Sequence, residues 1–357
     1  MKSRVVLHSP ELDIWLQRRG RSDDEVASAE TRETRRLWTD WRAISSWLLH
    51  GSFVRIIRYQ VVALWRRVRG YDNAYGMSLA EGLDRARQPI SMDVPRDTCS
   101  GGAIPNIIFQ TWKSRSDIPP VFRYWRSTIV DKNPKFQCLL WDDDDNRQFI
   151  GEEFPWFLRV YDDFPAAIFR ADAIRPFFLF RYGGFYIDMD TECLLPLSTS
   201  NFSGDVILGR MGTNVDFEAS IPNAIMGSKA FQLFWPLFIT FMMEEAHAAK
   251  HSGPGPVTGS VHLRKAVDFY QSTSESKIWS RAQPVIDCLP DKFRSRLQAG
   301  KLELLSPHVW YPIDWTNGVH QDFLRRFLRQ RNVVLRPDDS RLLFPGSALV
   351  TYWTHTW

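Results

Sequence analysis

The chain has 357 residues, 44% of them hydrophobic and 14% aromatic, enough for one large domain with an extension or for two domains. Lys and Arg outnumber Asp and Glu by 45 to 41, and the small excess is spread out, so a nucleic-acid partner is excluded while a phosphate-bearing substrate is not. Cys99, Cys138, Cys193 and Cys288 are too far apart for a zinc site and too sparse for a disulfide scaffold, which leans toward reduced thiols.

From the start of the chain, residues 1–11 lack the apolar stretch of a secretion signal. Residues 1–98 read as a helical, Arg-rich extension, with capping-box patterns at Ser22-x-x-Glu25 and Ser78-x-x-Glu81 and a turn over 70–76. Within it, the apolar stripe over 45–69 is interrupted by His50, Arg55 and Arg58, which rules it out as a spanning helix. The stripe suits either a helix packed on the rest of the protein or peripheral contact with a membrane. Residues 95–102 form a linker, and the second domain runs over 103–357. There the pattern predicts strands over 104–109, 136–141 and 184–187, and helices over 120–130, 144–157 and 165–182. Such alternation implies an α/β fold, a Rossmann-type, mostly parallel sheet with flanking helices and a ligand site at the carboxyl ends of its strands. The apolar run over 231–243 has the length of a buried core helix.

The chemistry concentrates at Gly183-Gly184-Phe185-Tyr186-Ile187-Asp188-Met189-Asp190. Asp188 and Asp190 stand one residue apart after an apolar run, so on an extended strand tip they share a face. Two hard carboxylates make half a cage for Mn²⁺ or Mg²⁺, ions that keep positions open for phosphate oxygens. Upstream, Asp172 and Arg175 are three apart and lie on one helix face, although Pro176 disfavours helical geometry at Arg175.

Together with Ile104-Pro105-Asn106-Ile107-Ile108-Phe109-Gln110-Thr111-Trp112-Lys113, Asn133-Pro134, Leu140-Trp141-Asp142-Asp143, the 252–258 segment Ser-Gly-Pro-Gly-Pro-Val-Thr and the terminal Tyr352-Trp353-Thr354-His355-Thr356-Trp357, this region resembles the family-32 glycosyltransferases. That family includes fungal initiation-specific α-1,6-mannosyltransferases and inositolphosphoceramide mannosyltransferases, and its donor site is similar to that of the clostridial glucosylating toxins. The resemblance spans roughly 103–357. It implies a GT-A-like fold and a metal-dependent transfer of a hexose, with retention, from GDP-mannose or a UDP-hexose to a glycan, lipid or small-molecule acceptor.

The resemblance also implies roles. Asp188 and Asp190 would hold Mn²⁺ (or Mg²⁺), with His355 as the third ligand in place of the histidine pair that relatives carry where Thr351 and Tyr352 stand here. Trp112 would stack on the base, Asp172 and Arg175 would hold the sugar or phosphate, and Tyr186 and Trp357 would border the donor. Asp188, Asp190 and Arg175 form the catalytic set. The run 142–145 reads as a helix N-terminus, and Asn223 and Thr258 as lesser sugar-pocket residues near turns. Two other functions fit Asp188 and Asp190: a haloacid-dehalogenase-like phosphatase with Asp188 as nucleophile, and a non-catalytic nucleotide-sugar binder. A cytoplasmic or peripheral membrane setting follows from the missing anchor, and a Golgi setting from the relatives.

Overall fold

The structure, a computed structural model, describes residues 77–78, 103–198, 202–328, 333–335 and 337–354. The expected helical extension and the 45–69 stripe lie outside the described residues, as do His355 and Trp357. Met77–Ser78 pairs antiparallel with Val333–Val334.

The first half alternates as its sequence pattern demands: β1 (Ile107–Thr111), α1 (Pro120–Lys132), β2 (Gln137–Trp141), α2 (Asp143–Glu153), α3 (Leu158–Asp163), α4 (Ala167–Tyr182) and β3 (Gly184–Ile187). Two boundaries differ from expectation. β1 starts later than 104 because Pro105 has no N–H to give a ladder, and its carbonyl instead takes the N–H of Ile107 in a tight turn. The single helix expected over 144–157 is two helices, since Pro155 forces Phe154 out of helical geometry. Then follow β4 (Thr191–Cys193), β5 (Val206–Gly209), β6 (Ile225–Ser228), α5 (Phe234–Glu245), α6 (Ser260–Ser272), α7 (Glu275–Cys288), β7 (Leu302–Leu305) and, near the end, β8 (Leu349–Thr351).

Six strands form one sheet in the order β2-β1-β3-β6-β5-β7. Five run the same way and β6 is reversed, antiparallel to both β3 and β5. This is the mostly parallel, helix-flanked α/β sheet the sequence implies, with one antiparallel strand that it did not. Alternate residues feed two cores. Phe109, Leu139, Tyr186, Leu208 and Met226 pack under α4 and α5, while Ile108, Phe185, Ile207 and Ile225 face Trp310 and Tyr311. Phe109 stacks on Phe178 of α4 at 4.9 Å between ring centres. The 12-residue α5 is buried core, as its length suggested, and among the described residues no helix is long and apolar enough to cross a membrane.

The turn from α4 into β3 sets the site. Gly183 and Gly184 have φ of 68° and 89°, and a Cβ on Gly184 would stand 2.5 Å from the Ile107 carbonyl oxygen. Only glycine lets β3 lie this close to β1. β3 then delivers Asp188 at its carboxyl end, beside the ends of β1 and β5.

Candidate active site

Arg175 is the hub. Pro176 lies inside α4 without ending it, so the helix carries Arg175 inward, 2% exposed. The expected uncertainty over its aim is resolved by four partners. Nη2 pairs with Asp172 Oδ1 at 2.9 Å and with Asp188 Oδ1 at 3.1 Å; Nη1 donates to the Asn223 carbonyl at 2.9 Å and Nε to that of Ala171 at 3.1 Å. The guanidinium also lies over the Tyr186 ring, 4.7 Å from its centre. Burial opposes its charge, yet Asp188, Tyr186 and Asp172 together hold it above the ordinary arginine range. The Asp172–Arg175 pair is therefore more than a helix-surface ion pair: it joins α4 to β3.

Asp188 is 7% exposed. Its N–H donates to the Ala224 carbonyl at 2.8 Å, and its Oδ1 accepts the Tyr186 hydroxyl at 2.8 Å. Burial pushes its pKa up to about 7, against the pull of Arg175, with the charge of Asp190 adding to the rise. Burial likewise raises Asp172, opposed by Arg175 and by the side chains of Asn223 and Thr258. Asn223 and Thr258, the lesser candidates, thus do reach the site through Asp172. Tyr186 shares the face of Asp188 as its spacing requires, but it is fully buried with its hydroxyl spent on Asp188. It supports Asp188 from behind, so the border with a donor expected of it is not where the ring lies.

Asp190 is held from the other end of the chain. Its carbonyl accepts the Tyr352 N–H at 2.9 Å, and its Oδ2 accepts the Thr354 N–H at 2.8 Å and Oγ1–H at 3.1 Å. β8 pairs antiparallel with β4, which follows Asp190 directly. Trp353 makes the final turn at φ 50°, a left-handed conformation costly for a bulky residue, fixed by its indole N–H on the Ile313 carbonyl and its stacking on Tyr311. Where relatives were expected to carry histidines, Thr351 bonds Thr191 and Tyr352 bonds the buried Glu192, which also accepts from Ser340. Burial pushes Glu192 up to about 7 against those hydroxyls. Neither Thr354 nor Glu192 stood out in the sequence; the Asp190–Thr354 bond joins residues 164 apart.

Trp112 follows β1 as expected and is 4% exposed, its ring against Phe122 and its N–H on the Asp117 carbonyl. Asp142 caps α2 in a capping box with Asp145, and Arg115 pairs with both, which confirms the helix N-terminus.

Among the described residues no three His, Cys, Asp or Glu side chains come together. The chain itself offers Asp188 and Asp190. With Asp188 Oδ1 taken by Arg175 and Tyr186, Oδ2 is the oxygen with which a cation would be met. Two carboxylates backed by fixed donors fit an ion that keeps most positions for phosphate and water.

Comparison with known proteins agrees with this geometry. The family described as glycosyltransferase sugar-binding region containing DXD motif matches residues 119–209. The chain is 31% identical over 202 residues to inositol phosphoceramide mannosyltransferase 2 of Schizosaccharomyces pombe, covering 51% of this chain and 57% of that protein. It is 36% identical over 148 residues to mannosyl phosphorylinositol ceramide synthase SUR1 of Saccharomyces cerevisiae, 39% of this chain and 38% of that one. It is 32% identical over 124 residues to the initiation-specific alpha-1,6-mannosyltransferase of the same yeast, 33% of this chain and 25% of that one. The matches thus span from a quarter to rather more than half the length of these relatives. A solved structure, PaToxG Glycosyltransferase, superposes with a TM-score of 0.38 and 12% identity over 70% of this chain and 98% of that one. The segment that builds α1 to β5, and with them Asp172, Arg175, Asp188 and Asp190, is thus a glycosyltransferase sugar-binding region containing the DXD motif.

Proposed function

We propose that this chain transfers a hexose from a nucleotide sugar to an acceptor with the help of Mn²⁺ or Mg²⁺, with retention of configuration. The observation that carries the reading is the placement of Asp188 and Asp190 side by side at the carboxyl edge of the sheet, one braced by Arg175 and the other by Thr354. Bound there, a divalent ion would neutralise the diphosphate leaving group as a Lewis acid. The residues of the chain supply the rest. Arg175 keeps Asp188 oriented and tempers the repulsion among Asp172, Asp188 and Asp190. Asp172, buried and facing Thr258, has the acceptor oxygens that sugar hydroxyls require. Trp112 is the candidate for base stacking, which its burial sets against a core role.

The mannosyltransferase relatives favour GDP-mannose as donor, with a UDP-hexose second. Glycan, lipid and small-molecule acceptors stay within the reading, as do a peripheral membrane setting and a Golgi one. The phosphatase alternative loses ground because the Asp188 oxygen that would attack phosphorus competes with two hydrogen bonds, and because residues 119–209 match a glycosyltransferase region. Incubating the purified chain with GDP-mannose, UDP-glucose and related donors tests the proposal. Mn²⁺-dependent release of free sugar and nucleoside diphosphate from one donor is the expected result. Equal hydrolysis in excess EDTA, or none with any donor, would overturn it.

A further inference from the structure

The carboxyl edge of the sheet holds a cation that the proposed site has not used. Arg210 follows β5 directly. Val206 and Leu208 face the core under α4 while Ile207 faces the opposite one, so alternation places Arg210 on the α4 side, the side of Arg175 and Asp172. Register gives its distance from the chemistry. β5 pairs Leu208 with Met226, and β3 pairs Ile187 with Ile225. Continued outward, both pairings bring their next inward-facing residue, Arg210 or Asp188, opposite Ala224, whose carbonyl already takes the Asp188 N–H. Two strand spacings, about 10 Å, therefore separate the two backbones.

Arg210 is half-buried, its Nη1 is sealed from solvent, and among the described residues no side chain or carbonyl accepts from that nitrogen and no carboxylate pairs with the guanidinium. Asn223, beside Ala224, repeats the situation: its Nδ2 is buried with no acceptor within hydrogen-bond distance among the described residues. The other arginine on this face, Arg175, is saturated. Two sequestered donors side by side, one of them charged, are costly unless something brings acceptors to them. Water can accept from Asn223 but leaves the guanidinium charge uncompensated. A phosphate satisfies both requirements, because its oxygens match the fork of an arginine and still have lone pairs for an amide.

A diphosphate bound through a cation on Asp188 and Asp190 would lie within about 2 Å of that ion, so a second anion two strands away belongs with the other substrate. We propose that Arg210, assisted by Asn223, holds a phosphate ester carried by the acceptor. The word acceptor rests on the glycosyltransferase reading above.

Calorimetric titration of the full chain with myo-inositol 1-phosphate, with myo-inositol, and with GDP plus Mn²⁺ tests this. Wild type should prefer the phosphorylated compound by about tenfold or more. Arg210→Ala should erase that preference, and Arg210→Lys, which keeps the charge but not the fork, should recover part of it. Melting curves identify a variant that fails to fold, in which case Arg210→Gln takes the place of Ala. Wild type without a preference, or Arg210→Ala with the preference intact, overturns the proposal. A variant that loses GDP and keeps the preference assigns Arg210 to the donor and also overturns it. Failure of the glycosyltransferase reading is a different result: no GDP binding and no donor hydrolysis by wild type, whatever the phosphate preference.

Discussion

Replacing Arg175 by Met keeps most of the side-chain volume and removes the cation on which the site is built. Asp172 and Asp188 have side chains only 8% and 10% exposed, and both lie on the same guanidinium nitrogen at 2.9 and 3.1 Å. Without it, two buried carboxylates face each other with no counter-charge, and the Asn223 and Ala171 carbonyls lose their donor. Removing one partner of a buried pair costs about 3–5 kcal/mol. For a domain of this size each kcal/mol lowers the melting temperature by about 2–4 °C, so a fall of roughly 6–20 °C is expected. Thermal unfolding at pH 8, where both carboxylates are charged in an unfolded chain, measures it. The triple variant Arg175→Met, Asp172→Asn, Asp188→Asn should regain much of the loss, because the stranded charges are gone. Donor hydrolysis by the single variant should fall roughly 10- to 100-fold, the usual effect of losing a residue that orients a ligand. A loss below about 1 kcal/mol, the scale of a surface pair, would refute the reasoning. So would a triple variant no more stable than the single one.

Asp190→Asn removes charge from the cation seat without changing shape, so transfer should vanish while the melting temperature stays near wild type; wild-type turnover would sink the metal assignment. Trp112→Ala should destabilise the chain by about 3–5 kcal/mol, as for a buried aromatic, and should weaken nucleoside diphosphate binding by about 1–3 kcal/mol if the indole is also the base platform. Unchanged nucleotide affinity in the folded variant would leave Trp112 to the core alone. His262, buried between Phe238 and Phe241 with its Nδ1 near the Pro256 carbonyl, is pushed down to about 4 chiefly by burial. Its folded pKa lies below the unfolded value of about 6.5, so the unfolded chain binds more protons between them, and wild type should lose up to about 3 kcal/mol of stability as pH falls from about 6.5 to about 4. Urea unfolding across that range should show a flatter profile for His262→Leu; parallel profiles would mean that His262 is not held neutral.

The sequence by itself determined what depends on near neighbours along the chain. The period-two runs fixed β1, β2 and β3, the Gly183-Gly184 break fixed the entry to β3, and the single-residue spacing put Asp188 and Asp190 at one strand end. Three-residue spacing put Asp172 and Arg175 on one face of α4. The local rule about proline misjudged Arg175, because packing of α4 against the sheet on one side and the site on the other outweighs the cost of Pro176 within it. Tertiary structure alone decided the contacts between distant segments. The reversed strand β6 brings Ala224 and Asn223 between Asp188 and Arg210. β8 returns from the end of the chain to set Thr354 on Asp190, and Asn223 and Thr258 meet Asp172 from separate loops. No pattern in a short window encodes such meetings, since hydrogen bonds across 48 or 164 residues depend on how the sheet closes and not on the spacing of side chains along a strand or helix.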